Sequence, residues 1–262
     1  MNGLTVMILR RIRSVLLATA LGGFYMPMGQ AAPQMITIYE YHSFPPMVVS
    51  QEKRQGLSYS FARLLTDRSQ GQFKFDVSIR TLPEVIRLLE SEQAGVVLFV
   101  NPLWFGDVEE TRYFWSKPVF TMRDEVVSRR RSPLEYNGGE SFVGKTVLGI
   151  SGYTYPDLDG LVQQGRATRI NAKSDVQNLK RLVQDQMVDA AIVNSGPLNF
   201  YATLYGMTDD IYLSKKPQGE YQVKILMTRN LPKVNEYVNR LVQELGHNRN
   251  WLDMKRLYLG EE

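Results

Sequence analysis

The residues able to recognise a ligand fall into four short segments, 41–46, 101–105, 151–155 and 194–197, each rich in aromatic, amide or hydroxyl groups. Tyr41, Phe44, Trp104 and Tyr153 offer aromatic faces, while Asn101, Thr154 and Asn194 offer uncharged hydrogen-bonding groups. Aromatic walls with a few placed polar groups suit a small ligand that has an apolar or flat side. Groups for covalent or metal chemistry are scarce. The chain has two histidines, His42 and His247, and no cysteine. A zinc site of the usual His/Cys kind is therefore not expected, and neither a metal nor a cofactor is predicted. There is no GxSxG elbow and no phosphate-binding P-loop. His42 is read as a packed or exposed histidine rather than a proton shuttle. Asp107, Glu109 and Glu110 form an acidic run beside the second segment, and are read as the solvated start of a helix. Arg129, Arg130 and Arg131 form the one basic block, read as a solvated turn.

What would bring the four segments together is the order of the elements. Residues 35–39 read as a strand. Leu57, Phe61, Leu64 and Leu65 then mark a helix face. Residues 73–79 alternate as a second strand. Thr81 and Glu84 have capping-box spacing, opening a helix through Glu92. Residues 95–100 are a continuous apolar run, expected of a buried parallel strand. The β-α-β-α-β order then recurs without a sequence repeat: strand 145–150, helix 156–164, strand 167–171, a helix opened by a capping box at Ser174 and Gln177, and strand 190–194. Two such sets predict an α/β chain of two lobes, each a largely parallel sheet flanked by helices. Residues 116–123 read as extended chain between the sets, and 221–227 as extended chain coming back. A long helix follows, with Val234, Val238, Leu241, Val242 and Leu245 on one side, then a terminal helix over 251–259 that stops at Gly260. The chain would thus cross between lobes twice, with 34–118 and 222–262 in the first lobe and 123–218 in the second. Ligands of open parallel sheets bind beyond the carboxyl ends of strands, and the four segments above lie at such ends.

The chain has 262 residues, 44% hydrophobic and 22% charged, which fits a globular protein with a buried core. Residues 1–31 read as a signal peptide. Arg10, Arg11 and Arg13 precede a mostly apolar run over 14–26, and Gly29 and Ala31 supply small residues for cleavage after Ala31. The absence of cysteine excludes disulfides and a lipid-anchored N-terminus, and a Gram-negative periplasm fits these features. The formal charge of +4 falls to +1 without the three leader arginines, leaving 28 basic against 27 acidic residues. That balance gives no electrostatic case for nucleic acid.

From about Met35 to Gly260 the chain resembles the bacterial extracellular solute-binding proteins of the amino-acid type, family 3. Tyr41-His42-Ser43-Phe44-Pro45-Pro46 is like the aromatic-Pro-Pro opening after that family's first strand. Gly56-Leu57-Ser58-Tyr59-Ser60-Phe61 is similar to its Gly-Phe-x-x-Asp-Leu segment, with Ser60, taken as structural, in place of Asp. Thr111-Arg112, followed by Trp115-Ser116-Lys117-Pro118, looks like its Arg…Phe-Ser-x-Pro-Tyr segment. Residues 144–154 resemble its Gly-Lys-x-Val-Gly-Val-x-x-Gly-Thr segment, and Leu182…Val188-Asp189-Ala190…Asn194 its Leu…Gly-x-Val-Asp-Ala…Asp segment. The resemblance implies a type II periplasmic-binding-protein fold with two hinge crossings. It also implies ligand capture by lobe closure and delivery to an inner-membrane ABC-type transporter. In amino-acid binders of the family an Arg clamps the ligand carboxylate and an Asp holds its ammonium group. Arg112 falls at the Arg position, with a shorter spacing to Trp115 and Ser116 than the family's. Asn194 fills the Asp position, and an amide can hydrogen-bond an ammonium group without neutralising it. Thr154 lies where the family donates hydroxyl and backbone N–H groups.

The expected ligand-binding set is therefore Tyr41, Phe44, Asn101, Trp104, Arg112, Tyr153, Thr154 and Asn194, with no catalytic residue. The expected partners are a small-molecule ligand and an inner-membrane transporter, with no nucleic acid, and the chain is expected to be monomeric and periplasmic. Two alternatives share the fold: a secreted dehydratase- or lyase-like enzyme, which would need a cleft carboxylate of raised pKa, and a ligand-sensing subunit of a membrane receptor.

Overall fold

The computed structural model describes residues 32–259; the leader with its cleavage point, and Gly260, lie outside the described residues. The segment Pro33–Glu262 is one compact unit. Its first half runs β1 (Gln34–Glu40), α1 (Leu57–Arg68), β2 (Phe73–Ile79), α2 (Leu82–Glu90) and β3 (Val96–Val100). Strand β1 lies between β2 and β3 and is parallel to both, in register from Gln34 opposite Phe73 to Glu40 opposite Ile79. The α1 face read from the sequence is buried at Leu57, Phe61, Leu64 and Leu65. At the start of α2 the Thr81 N–H and hydroxyl both donate to Glu84 Oε2, at 2.7 and 2.8 Å. This helix ends at Glu90, short of the expected Glu92, which has a left-handed φ of 56°.

Strand β3 departs from simple alternation. Lys224 faces Val100 and Leu226 faces Val97, so two β3 residues oppose the single Ile225. Phe99 sits in this bulge with a φ of 56°, a conformation that costs a bulky residue energy. The bulge puts Leu98 and Phe99 on the same side, in one core, and leaves Val97 and Val100 in the other. Phe99 gains the rings of Phe61 and Phe120 at 5.1 and 5.2 Å. The strand end, and the segment that follows it, are turned by the same bulge.

After β4 (Phe114–Trp115), strand β5 (Phe120–Arg129) runs well beyond the expected extended segment and ends in the basic block. Only part of that block is a solvated turn: Arg130 and Arg131 are exposed at the turn that ends β5, whereas Arg129 belongs to the strand. Arg129 is buried and donates to the carbonyls of Leu182 and Asp185, and Arg130 to those of Thr208 and Asp209. The second half then runs β6 (Thr146–Ile150), α3 (Pro156–Gln163), β7 (Thr168–Ala172), α4 (Asp175–Gln184), β8 (Ala190–Asn194), α5 (Ser195–Leu204) and β9 (Ile211–Leu213). The chain returns through β10 (Gly219–Met227), α6 (Pro232–Glu244) and α7 (Arg249–Leu259). The capping box expected at α4 does not form. Gln177 Oε1 accepts from the Lys173 N–H instead, and the Ser174 side chain makes no cap bond. Helix α5 and strand β9 were not legible in the sequence; α5 opens with Ser-Gly-Pro, three poor helix formers.

The strand order is β2-β1-β3-β10-β5-β8-β6-β7, with β4 also on β10 and β9 also on β5. Strands β5 and β10 pair antiparallel over 120–124 and 219–223. Each continues into a different half: β10 onto β3 and β4, β5 onto β8 and β9. They are the two crossings between lobes. Each lobe carries apolar side chains on both faces of its sheet, as parallel sheets require. Around β3 these are Phe61, Phe99, Phe120 and Trp251 on one face and Tyr39, Val85, Leu89 and Val97 on the other. Around β8 they are Leu148, Leu179, Leu182 and Val193 on one face and Phe142, Val147, Leu158 and Ile192 on the other.

Candidate functional site

The carboxyl ends of β1 and β3 build one wall. Glu40 is buried at the end of β1 and accepts from the Ser58 hydroxyl and, at 2.7 Å, from the His42 N–H. That anchors the segment leaving β1. Gly56 lets the returning chain close on it, since a Cβ there would stand 2.2 Å from the Met47 carbonyl oxygen. The His42 ring packs between Tyr41 (4.0 Å), Phe44 (5.7 Å) and Trp104 (6.3 Å), so His42 is a packed histidine. Beyond β3, Asn101 Oδ1 accepts from the Leu103 N–H, and its Nδ2 donates to the Gln222 carbonyl. This amide fixes the short 3-10 turn Pro102–Phe105 against β10. The turn presents Trp104, 40% exposed, with its ring 5.2 Å from that of Tyr221.

The second wall comes from lobe 2 and the crossing strands. Asp124 of β5 lies opposite Asn194 of β8 and Gly219 of β10. Asn194 Nδ2 donates to the Tyr221 hydroxyl at 2.6 Å and to Asp124 Oδ1 at 3.3 Å. Its Oδ1 caps α5 by accepting from the Gly196 N–H. The Asn194 N–H reaches Asp175 Oδ1, at the first turn of α4, at 3.4 Å. Tyr153, half exposed, follows β6 on a segment held by Arg169. That guanidinium donates to the Ile150 and Tyr153 carbonyls and to Asp159, and covers the Tyr155 ring at 4.7 Å. The lobes meet at Gly196, where an added Cβ would stand 3.1 Å from Pro46 Cδ.

Electrostatically this site is acidic, with both carboxyls half-buried. Burial pushes the Asp124 carboxyl above its ordinary value despite hydrogen bonds from Asn194 and Tyr221. Burial pushes Asp175 up to about 7, and the nearby Asp124 charge adds to this. Burial also raises the Tyr153 and Tyr221 phenols, with both carboxylates contributing, so they are neutral hydroxyls. Burial, then Glu40 and Tyr153, raises Tyr41.

Of the residues expected from the sequence, Tyr41, Trp104, Tyr153 and Asn194 are brought together here. Phe44 backs His42, Thr154 is exposed beside Tyr153, and Asn101 positions the turn that carries Trp104. Arg112 is not brought to the others. Its surroundings are Glu90, Glu92, Tyr113, Thr228 and Arg229, near Gly95 at the opposite end of β3 from Asn101. The cause is Asp107, which is buried rather than at a solvated helix start. It accepts from the N–H groups of Thr111, Arg112 and Tyr113 and from the Trp115 indole, at 2.7–3.1 Å. This wraps the chain about Asp107 and lays the Arg112 guanidinium over the Tyr113 ring. Burial opposes the charge on Asp107, but these four donors outweigh it and hold the carboxyl below its ordinary value.

Asp124, Asp175 and Tyr221 were missed by sequence reasoning. Asp175 follows the carboxyl end of β7, so the rule that found the other segments reaches it too. Asp124 and Tyr221 sit inside crossing strands and carry no local signal.

No protein-family model matches the sequence, and no curated protein matches it. Solved structures match its fold. A probable amino-acid ABC transporter extracellular-binding protein from Bacillus subtilis superposes with a TM-score of 0.68 at 14% identity, over 87% of this chain and 99% of that one. The GluR0 ligand-binding core from Nostoc punctiforme, in complex with L-glutamate, gives 0.62 at 17% identity, over 87% and 100%. The ancestral amino-acid-binding protein AncCDT-1, a precursor of cyclohexadienyl dehydratase, gives 0.63 at 12% identity, over 86% and 95%. The chain has the two-lobed periplasmic-binding-protein fold, as the family resemblance implied. Among the described residues no helix is long and apolar enough to cross a membrane.

Proposed function

We propose that this chain is a periplasmic solute-binding protein. It captures a small polar or amino-acid-like ligand between lobe 34–118 with 222–262 and lobe 123–218, and delivers it to an inner-membrane ABC-type transporter. The observation that carries this reading is the meeting of Tyr41 and Trp104 from one lobe with Tyr153 and Asn194 from the other, around Asp124 and Tyr221 of the two crossing strands. A ligand bound there touches both lobes only when they are closed. Its binding free energy therefore favours the closed form, and β5 and β10 are the elements that bend. Residues 1–31 are the leader removed on secretion. The test is small-angle scattering of the mature protein, with the small molecules released from natively purified protein identified by mass spectrometry. The identified molecule should reduce the radius of gyration; an unchanged radius at saturation refutes capture by closure.

One observation favours a second reading, a secreted enzyme on the same scaffold. Asp175, pushed up to about 7 in the cleft, has the protonation behaviour of an acid–base group at neutral pH. Incubating the identified molecule with the protein and analysing by mass spectrometry decides: return of unchanged ligand supports the binding protein, and a new product supports the enzyme.

A further inference from the structure

We infer that the cleft selects a solute bearing a protonated primary amine and no carboxylate, because Asp124 and Asp175 form an acidic floor beside aromatic rings, and no cationic side chain among the described residues pairs with either acid. This rests on the cleft reading above and deepens it by naming the substrate class. The site itself stands on the strand ends and the rings that face each other there; the carboxylates decide only what enters it.

The argument is one of charge. Neither Asp124 nor Asp175 has an ion-pair partner among the described residues. The groups acting on Asp124 are Asn194 and Tyr221, and those acting on Asp175 are the Asn194 backbone and Asp124. The neighbouring cations are held elsewhere. Arg169 pairs with Asp159 at 2.5 Å, and Arg123 with Glu220 at 2.8 Å. Arg112 lies at the far end of β3. A ligand carboxylate would thus face two half-buried acids with no cation to pair with it, an arrangement that disfavours binding. An ammonium group instead gives the pair the positive charge it lacks, which favours the ionised form of both acids, and its three N–H donors then match acceptor-only carboxylates. A quaternary ammonium has no such donors. The exposed rings of Tyr153, beside both acids, and Trp104, against Tyr221, are available for cation–π attraction. Asn194 fits the same scheme: its amide cannot neutralise an ammonium group, but it hydrogen-bonds both acids through its side chain and its N–H.

The experiment is titration calorimetry of the mature chain with two amines, tyramine and cadaverine, and with tyrosine and lysine, which carry the same amines plus a carboxylate. At least one amine should bind about tenfold or more tightly than its parent amino acid. Asp124→Asn and Asp175→Asn should each weaken that amine about thirtyfold or more, since removing one partner of a buried charge pair has effects of that size. Both substitutions replace a half-buried carboxyl by an amide of the same shape, and circular dichroism confirms that the variants are folded. Two results overturn the inference: tyrosine or lysine binding as tightly as its amine, or no binding by either amine at millimolar concentration. If the amino acids win and Trp104→Ala or Tyr153→Ala weakens them, the cleft reading survives and only this inference falls. Amine binding that is indifferent to all four substitutions places the site elsewhere and refutes both.

Discussion

Replacing Asp175 by Asn should make the ligand-free protein more stable at neutral pH, and the gain should vanish in acid. In the native chain the Asp175 carboxyl titrates at about 7, against 3.8 when unperturbed. The folded protein therefore holds a proton through this window that the unfolded chain has released. A raised carboxyl contributes its stability fully below 3.8, and that contribution is lost as pH rises through about 7. Asn has no proton to lose and keeps it. The shift of about 3 units corresponds to about 4 kcal/mol, at about 1.4 kcal/mol per unit. Asp175 keeps some solvent contact, so about 2–4 kcal/mol is the working range. The groups facing it are Asp124, Asn194, Tyr153, Tyr155, Tyr201 and Tyr221. All four phenols are raised by burial and stay neutral across the window, while Asp124, also raised, steepens the wild-type curve in the same direction. Urea denaturation of both chains at intervals from pH 4 to pH 8, without ligand, reads the difference. The midpoints should nearly coincide at pH 4 and separate in favour of Asp175→Asn by pH 8. A difference that does not grow with pH, or a less stable variant at pH 8, refutes the picture of a half-buried carboxylate without a counter-ion.

Gly196→Trp should hold the lobes apart, because even a Cβ there meets Pro46 at 3.1 Å; scattering of the ligand-free variant should show a larger radius of gyration than wild type, and identical curves would mean that this contact does not limit closure. Arg112→Ala should leave the affinity for tyramine or cadaverine within about twofold of wild type, as expected of a residue away from the site with a surface-type contribution below about 1 kcal/mol; a loss above tenfold in calorimetry would put Arg112 back into recognition. Asp107→Asn should cost about 2–3 kcal/mol at neutral pH, since a charged acceptor is lost to three backbone N–H groups and the Trp115 indole. The Asp107 carboxyl is lowered in the folded state, so its contribution is present above the unperturbed value of 3.8 and lost as pH falls through the folded one; urea midpoints for wild type and variant should converge in acid, and a constant gap would show that charge plays no part.

The sequence by itself determined most of the elements and their order. Strands 73–79 and 190–194 coincide with β2 and β8, and the apolar faces of α1 and α6 are buried where their spacing places them. These are local properties: period-2 and period-3.6 patterns and capping groups act within a few residues, so the chain displays them directly. The rule that ligands gather beyond parallel strand ends then singled out Tyr41, Trp104, Tyr153 and Asn194, which the fold brings near one another. Only the tertiary structure decided the charge of the site. Asp124 and Asn194 are 70 positions apart and become neighbours through β5–β8 pairing, and Tyr221 joins them through β10. No periodicity records such a register, because it is set by which strands cross between the lobes. The same limit explains Arg112. Its place followed from three backbone N–H groups and an indole closing on one buried carboxylate, Asp107, a set of bonds that exists only once the chain has folded around it.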